Sequence, residues 1–142
     1  MVRTGWIITA LVVLFLLGAS VAPKLVGASV AVDSLVELGW PPRYLLLIGL
    51  IELACVVLYV IPRTSLVGAA LLTALIGGAI ASHLRAGSPL FSHTLFGVYL
   101  GVFAWAALVL RDRALRAYLV RSMKGGPREL AGPASAERPQ LR

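Results

Sequence analysis

Charge is scarce in this chain. Charged residues make up 13% of the 142, about half of what a soluble domain carries, and they gather at one end. Residues 1–110 hold five basic and three acidic side chains, a net of +2, whereas residues 111–142 hold eight and three, a net of +5. The first 110 residues therefore cannot supply the polar surface that a water-soluble fold requires. Cysteine is nearly missing as well. The single Cys55 excludes an internal disulfide and a two-thiol relay, and inside an apolar run it reads as a small buried hydrophobe. Only two histidines are present, His83 and His93. With no cysteine pair and no Glu-x-x-His spacing beside them, they argue against haem or a metal centre. No glycine-rich loop follows a strand and no serine occupies a nucleophile elbow, which excludes soluble-type nucleotide and acyl-transfer chemistry.

What the chain does have is long uncharged runs. Hydrophobic residues reach 59%, and four stretches, at about 6–22, 44–61, 64–82 and 93–110, approach the roughly 20 residues that cross a bilayer. The first could instead be a secretory signal. Pro23, directly after the small residues Ala19–Ala22, makes a poor cleavage site, so a retained span is expected. Between the first two spans, Val30, Leu35, Val36 and Leu38 alternate with Asp33 and Glu37 at helical spacing, and Gly39-Trp40-Pro41-Pro42 closes the segment. That pattern predicts a short interfacial helix with Trp40 as its aromatic anchor. The expected fold is all-α: an integral membrane four-helix bundle in one domain, residues 1–124. It ends in a basic juxtamembrane helix over 112–124, and a Pro/Gly/Ala-rich polar tail follows over 125–142.

Four spans place both termini on one side. Arg3, Arg63, Arg111, Arg113, Arg116, Arg121 and Lys124 flank spans there, against Lys24, Arg43 and Arg85 opposite. This asymmetry predicts cytoplasmic termini. It also assigns the positive charge to the bilayer rather than to nucleic acid, with Arg111, Arg113, Arg116, Arg121 and Lys124 as contacts for anionic lipid or a protein partner.

Helices in lipid associate through small residues that allow close approach. The third span carries Ala70, Ala74, Gly78 and Ser82 at four-residue spacing, and the fourth carries Gly97-Val-Tyr-Leu-Gly101. These stripes are expected to face each other inside the monomer, or else to mark a homo-oligomer face. On either account, Gly78→Leu should push backbones apart.

One residue stands out chemically. Glu52 lies in the middle of the apolar run 44–61, where a central charge costs about 2.5–3.5 kcal/mol on insertion scales. By helix rise it sits about 12 Å below the outer surface, the side that also holds Lys24, His83, Arg85 and His93. These five form the candidate polar pocket, with Lys24 and Arg85 as cations and the histidines as rim groups. It serves either as a structural network fixing helix register or as a small site for a quinone or other amphipathic ligand, with Glu52 and His83 near the headgroup. No catalytic residue is assigned, and proton transfer through Glu52 has no support of its own.

Several local motifs together resemble those of the DoxX-like family of small four-span bacterial membrane proteins. They are Lys24-Leu25 after the first span, Leu38-Gly39-Trp40-Pro41 before the second, and Gly49-Leu-Ile-Glu52-Leu53 within it. Pro62-Arg63, Gly77-Gly78-Ala79, His83-Leu-Arg85-Ala-Gly87, Leu95-Phe96 and Arg111-Asp112 follow. The resemblance covers about residues 4–119. It implies a bundle in a bacterial inner membrane and a relation to small membrane subunits of thiosulfate:quinone oxidoreductase and of redox or oxidative-stress complexes. Glu52, His83 and Arg85 match recurring family positions, with no reaction attached to them. The expected role is a non-catalytic accessory or anchoring subunit of a larger membrane complex. The alternative is a quinone-interacting oxidoreductase component, and a small-solute transporter or channel ranks third.

Overall fold

The computed structural model describes residues 1–89, 91 and 95–124, and among them there is no strand. Six helices follow one another: α1 (Val2–Leu25), α2 (Ser29–Glu37), α3 (Leu45–Val60), α4 (Ser65–Arg85), α5 (Leu95–Arg111) and α6 (Arg113–Lys124). His93 and residues 125–142, on which expectations for a rim group and a polar tail fell, lie outside the described residues.

The first helix runs past the boundary its sequence suggests. Pro23 lacks an N–H and would ordinarily break or kink a helix. Here the turns ahead of it widen to π winding over Leu16–Val21, and the helix continues through Pro23 to Leu25. A local π stretch is a recognised way to absorb a missing i→i−4 bond. Its consequence is that Lys24 remains helical rather than belonging to a loop. The helix α2 ends at Leu38-Gly39, where Trp40 N–H donates to the Leu35 carbonyl at 3.0 Å and Gly39 N–H to Val36 at 2.8 Å. That paired pattern requires a left-handed residue after the cap, and Gly39, at φ +75°, supplies it.

The long helices α1, α3, α4 and α5 close a ring in which each packs against the next and α5 returns to α1. Among the described residues three helical segments, Val2–Leu25, Pro42–Val60 and Ser65–Arg85, are long and apolar enough to cross a membrane, and α5 meets α6 at a 99° bend. All four long helices contribute to one core of Val12, Leu16, Cys55, Val56, Tyr59, Ala69, Leu72, Ala104 and Leu108. Large apolar side chains such as Ile7, Leu11, Leu14, Leu46, Val67 and Val102 cover the outside. In water such a surface would aggregate; in hydrocarbon it is what a bundle needs. The protein is a helical, multi-pass membrane bundle.

The packing surfaces differ from those the small-residue stripes suggest. Ala70, Ala74 and Gly78 are exposed, and a Cβ on Gly78 or Gly101 would meet nothing within 4 Å. Helix α4 instead turns Ser65, Gly68, Ala69 and Leu72 inward, one step round from the stripe. Apolar residues cover every side of this helix, so hydropathy alone did not reveal which side was inner. Gly97 does lie against α4, but beneath Ile76 and Ile80 rather than against glycine. Ser82 is half-buried; its hydroxyl donates to the Gly78 carbonyl at 2.9 Å and accepts from Trp40 Nε1 at 3.2 Å. Gly78→Leu is therefore expected to leave the melting temperature of the detergent-solubilised monomer unchanged, and a clear drop would restore the original reading of the stripe.

Candidate functional site

The carboxylate of Glu52 faces inward and is 5% exposed. Its Oε2 accepts from Lys24 Nζ at 2.8 Å. The ammonium also donates to Ser20 Oγ at 2.6 Å and to the Ser20 carbonyl at 3.2 Å, so its three protons have three acceptors. Two local features bring the pair together. The helical continuation through Pro23 carries Lys24 down the side of α3. Gly49, one turn before Glu52, then lets the two helices touch, since a Cβ there would lie 2.9 Å from Lys24 Cβ and 3.3 Å from Leu25 Cδ2. A charge inside a membrane span is held by pairing and by backbone groups, and this one has both. The pair carries no net charge. Chemically it is suited to fixing α1 against α3.

Arg85 and His83, the other described members of the expected pocket, are engaged elsewhere. Arg85 is exposed, and its Nη2 donates to the Leu38 carbonyl at 2.6 Å. Beside it, Trp40 Nε1 reaches Ser82, so two hydrogen bonds strap the α2–α3 connection across the end of α4. His83 Nδ1 lies 3.1 Å from Ser88 Oγ, within the turn that follows α4. The pocket thus divides into a deep ion pair and a shallow strap. Arg85 ends its helix, where the carbonyls of the Gly39 turn are within reach.

At the opposite end lies a second buried charge, which corrects the expectation that Arg111 meets lipid or a partner. Arg111 is 8% exposed. Its Nη2 donates to the Tyr59 carbonyl, and its guanidinium stacks 4.8 Å from the Trp6 ring centre and 4.6 Å from that of Tyr59. Such a contact contributes about 0.5–1 kcal/mol where the ring is exposed, as Trp6 is, and about 2 kcal/mol where it is buried, as Tyr59 is. Tyr59 is itself fully buried, its hydroxyl donating to the Ala104 carbonyl at 2.8 Å. The close approach rests on Gly5, where a Cβ would fall 2.5 Å from the Arg111 backbone nitrogen. Thr9 stands one turn on, its hydroxyl bonded to the Gly5 carbonyl at 2.9 Å. Sequence reasoning missed this cluster because Arg111 looked like the polar end of a span. The available signal was Gly5-x-x-x-Thr9, a small-residue pair in the first span.

Between α4 and α5 an apolar groove of about 620 Å³ opens outward, with Thr73 and Gly77 on one wall, Gly97 and Gly101 on the other, and Trp105 across it. Its polar groups satisfy one another, since Trp105 Nε1 donates to Thr73 Oγ1 at 2.8 Å while Thr73 donates to the Ala69 carbonyl at 2.8 Å. Among the described residues no group of three or more His, Cys, Asp or Glu side chains is placed to hold a metal.

Comparison with curated proteins finds no match, and comparison with solved structures finds none. The family model of the DoxX-like family matches residues 7–107, a range containing Lys24, Glu52, the strap and all of the groove lining except Val109. This chain therefore belongs to the DoxX-like family.

Proposed function

We propose that this DoxX-like protein is a non-catalytic accessory or anchoring subunit of a larger, redox-related complex in a bacterial inner membrane, with both termini cytoplasmic. The observation that carries the reading is the Lys24–Glu52 pair. A carboxylate kept for acid–base or ligand chemistry would present a free face to a cavity. This one is clamped by an ammonium whose other protons are also taken. The redox connection rests on what the family resemblance implies, and the orientation rests on the excess of arginine at the α6 end. The test is native mass spectrometry of the protein released from its own membrane in mild detergent, with Glu52→Gln alongside. Further subunits should accompany the wild-type chain, and the variant should keep them and the activity of the complex. Lost activity in a fully assembled Glu52→Gln complex would overturn the non-catalytic assignment.

A second reading, a quinone-interacting component, draws on the groove between α4 and α5. Its walls are apolar and its Thr73 and Trp105 groups are mutually satisfied, which suits an isoprenoid chain better than a polar headgroup. A retained quinone-sized mass on the isolated chain would favour it.

A further inference from the structure

We infer that α6 is a lipid-charge clasp: a helix that lies flat on the bilayer and is held there by anionic headgroups. Three independent features lead to this. The first is direction. Helix α6 leaves α5 at 99°, so if α5 crosses the membrane, α6 runs along its surface.

The second is rotation. On a helical wheel, Tyr118, Ser122, Leu115, Leu119 and Met123 share one side and Arg113 and Arg121 the other, with Arg116 at the boundary beside Met123 and Val120 among the basic residues. Leu115 is the residue that packs against the bundle core, which turns the apolar side towards the bundle. Among the described residues, none covers the rest of that side. Tyr118 is 69% exposed and Met123 79%. A surface helix whose apolar face points at the membrane and whose basic face points away is the arrangement expected of an interfacial anchor.

The third is charge. Arg3, Arg63, Arg113, Arg116 and Arg121 belong to this end of the bundle, all exposed or half-buried. Among the described residues the acid at this end is Asp112, and its Oδ1 is occupied in capping α6, accepting from the N–H groups of Ala114 at 2.9 Å and Leu115 at 3.0 Å. Among the described residues at the other end, Arg43 and Arg85 are matched in number by Asp33 and Glu37. One end of the bundle thus matches a negative leaflet and the other does not.

A 12-residue helix is marginal by itself in water. The Asp112 cap and Leu115 secure only its first turn, so the remainder depends on the surface below it. Each arginine at a negative leaflet contributes roughly a fivefold gain in affinity.

The experiment is hydrogen exchange of the full chain in lipid nanodiscs of phosphatidylcholine, with and without phosphatidylglycerol. Backbone amides over 117–124 should exchange at least about tenfold more slowly in the anionic discs, and added salt should erase the difference. An Arg113→Gln/Arg121→Gln variant should lose that protection in anionic discs while the amides of α3 and α4 stay as protected as in the wild type. Equal exchange in the two lipids would overturn the proposal. So would protection seen in native membranes and missing from anionic discs, since it would assign the face to a protein partner.

Discussion

Replacing Lys24 with methionine should cost the bundle about 3–5 kcal/mol, the usual penalty for stranding one charge of a buried pair. Glu52 would keep its 5% exposure and lose its counter-charge, and Ser20 would lose the donor it shares at 2.6 Å. The double variant Lys24→Met/Glu52→Leu should recover most of the loss, because apolar replacement of both partners is often neutral or stabilising in a nonpolar interior. Unfolding in a graded series of denaturing detergent, read as a four-variant cycle, measures the coupling. If Lys24→Met unfolds with the wild type, the pair is not a clamp between α1 and α3. The accessory reading would then lose the observation that carries it.

The second large effect is expected at Gly68, where α4 crosses α3. A Cβ there would lie 2.2 Å from the Tyr59 nitrogen and 2.5 Å from its Cα. These obstacles are backbone, so no rotamer change relieves them and the helices must part. Overpacking of a formed core costs about 1–3 kcal/mol, and Gly68→Ala should reach the upper end of that range. The hairpin around Pro62 leaves the two helices little freedom to slide. The damage should also spread, since Tyr59 supports Arg111 through its carbonyl and its ring and holds α5 through the Ala104 carbonyl. Gly78→Ala, with nothing within 4 Å of its added methyl, is the control. It should be neutral or slightly stabilising, since alanine is the better helix former. Equal thermal stability of the two variants would mean that α3 and α4 do not approach as closely as Gly68 implies.

Both effects arise from contacts between residues distant in sequence, and this sets how much of the molecule could be read from the chain. The helical class, the hydrophobic spans, the interfacial segment before Trp40 and the basic helix after Asp112 were legible. Each is written in the hydropathy and punctuation of consecutive residues, and in lipid an unbroken apolar run has little alternative to a helix. Glu52 was legible as an anomaly for the same reason, because a carboxylate in such a run demands a partner.

The choice of partner was not local. Lys24 rather than Arg85 reaches Glu52, because a π stretch carries α1 through Pro23 and Gly49 admits it beside α3. Arg85 instead reaches the carbonyl that the Gly39 turn presents. Arg111, which ends a span in sequence, is drawn inside by Gly5, Trp6 and Tyr59 from two other helices. The stripe Ala70, Ala74 and Gly78 has the spacing of a contact surface and faces outward all the same. On helices apolar on every side, hydropathy cannot distinguish the lipid from the core, and only the fit of neighbouring backbones decides which face turns in.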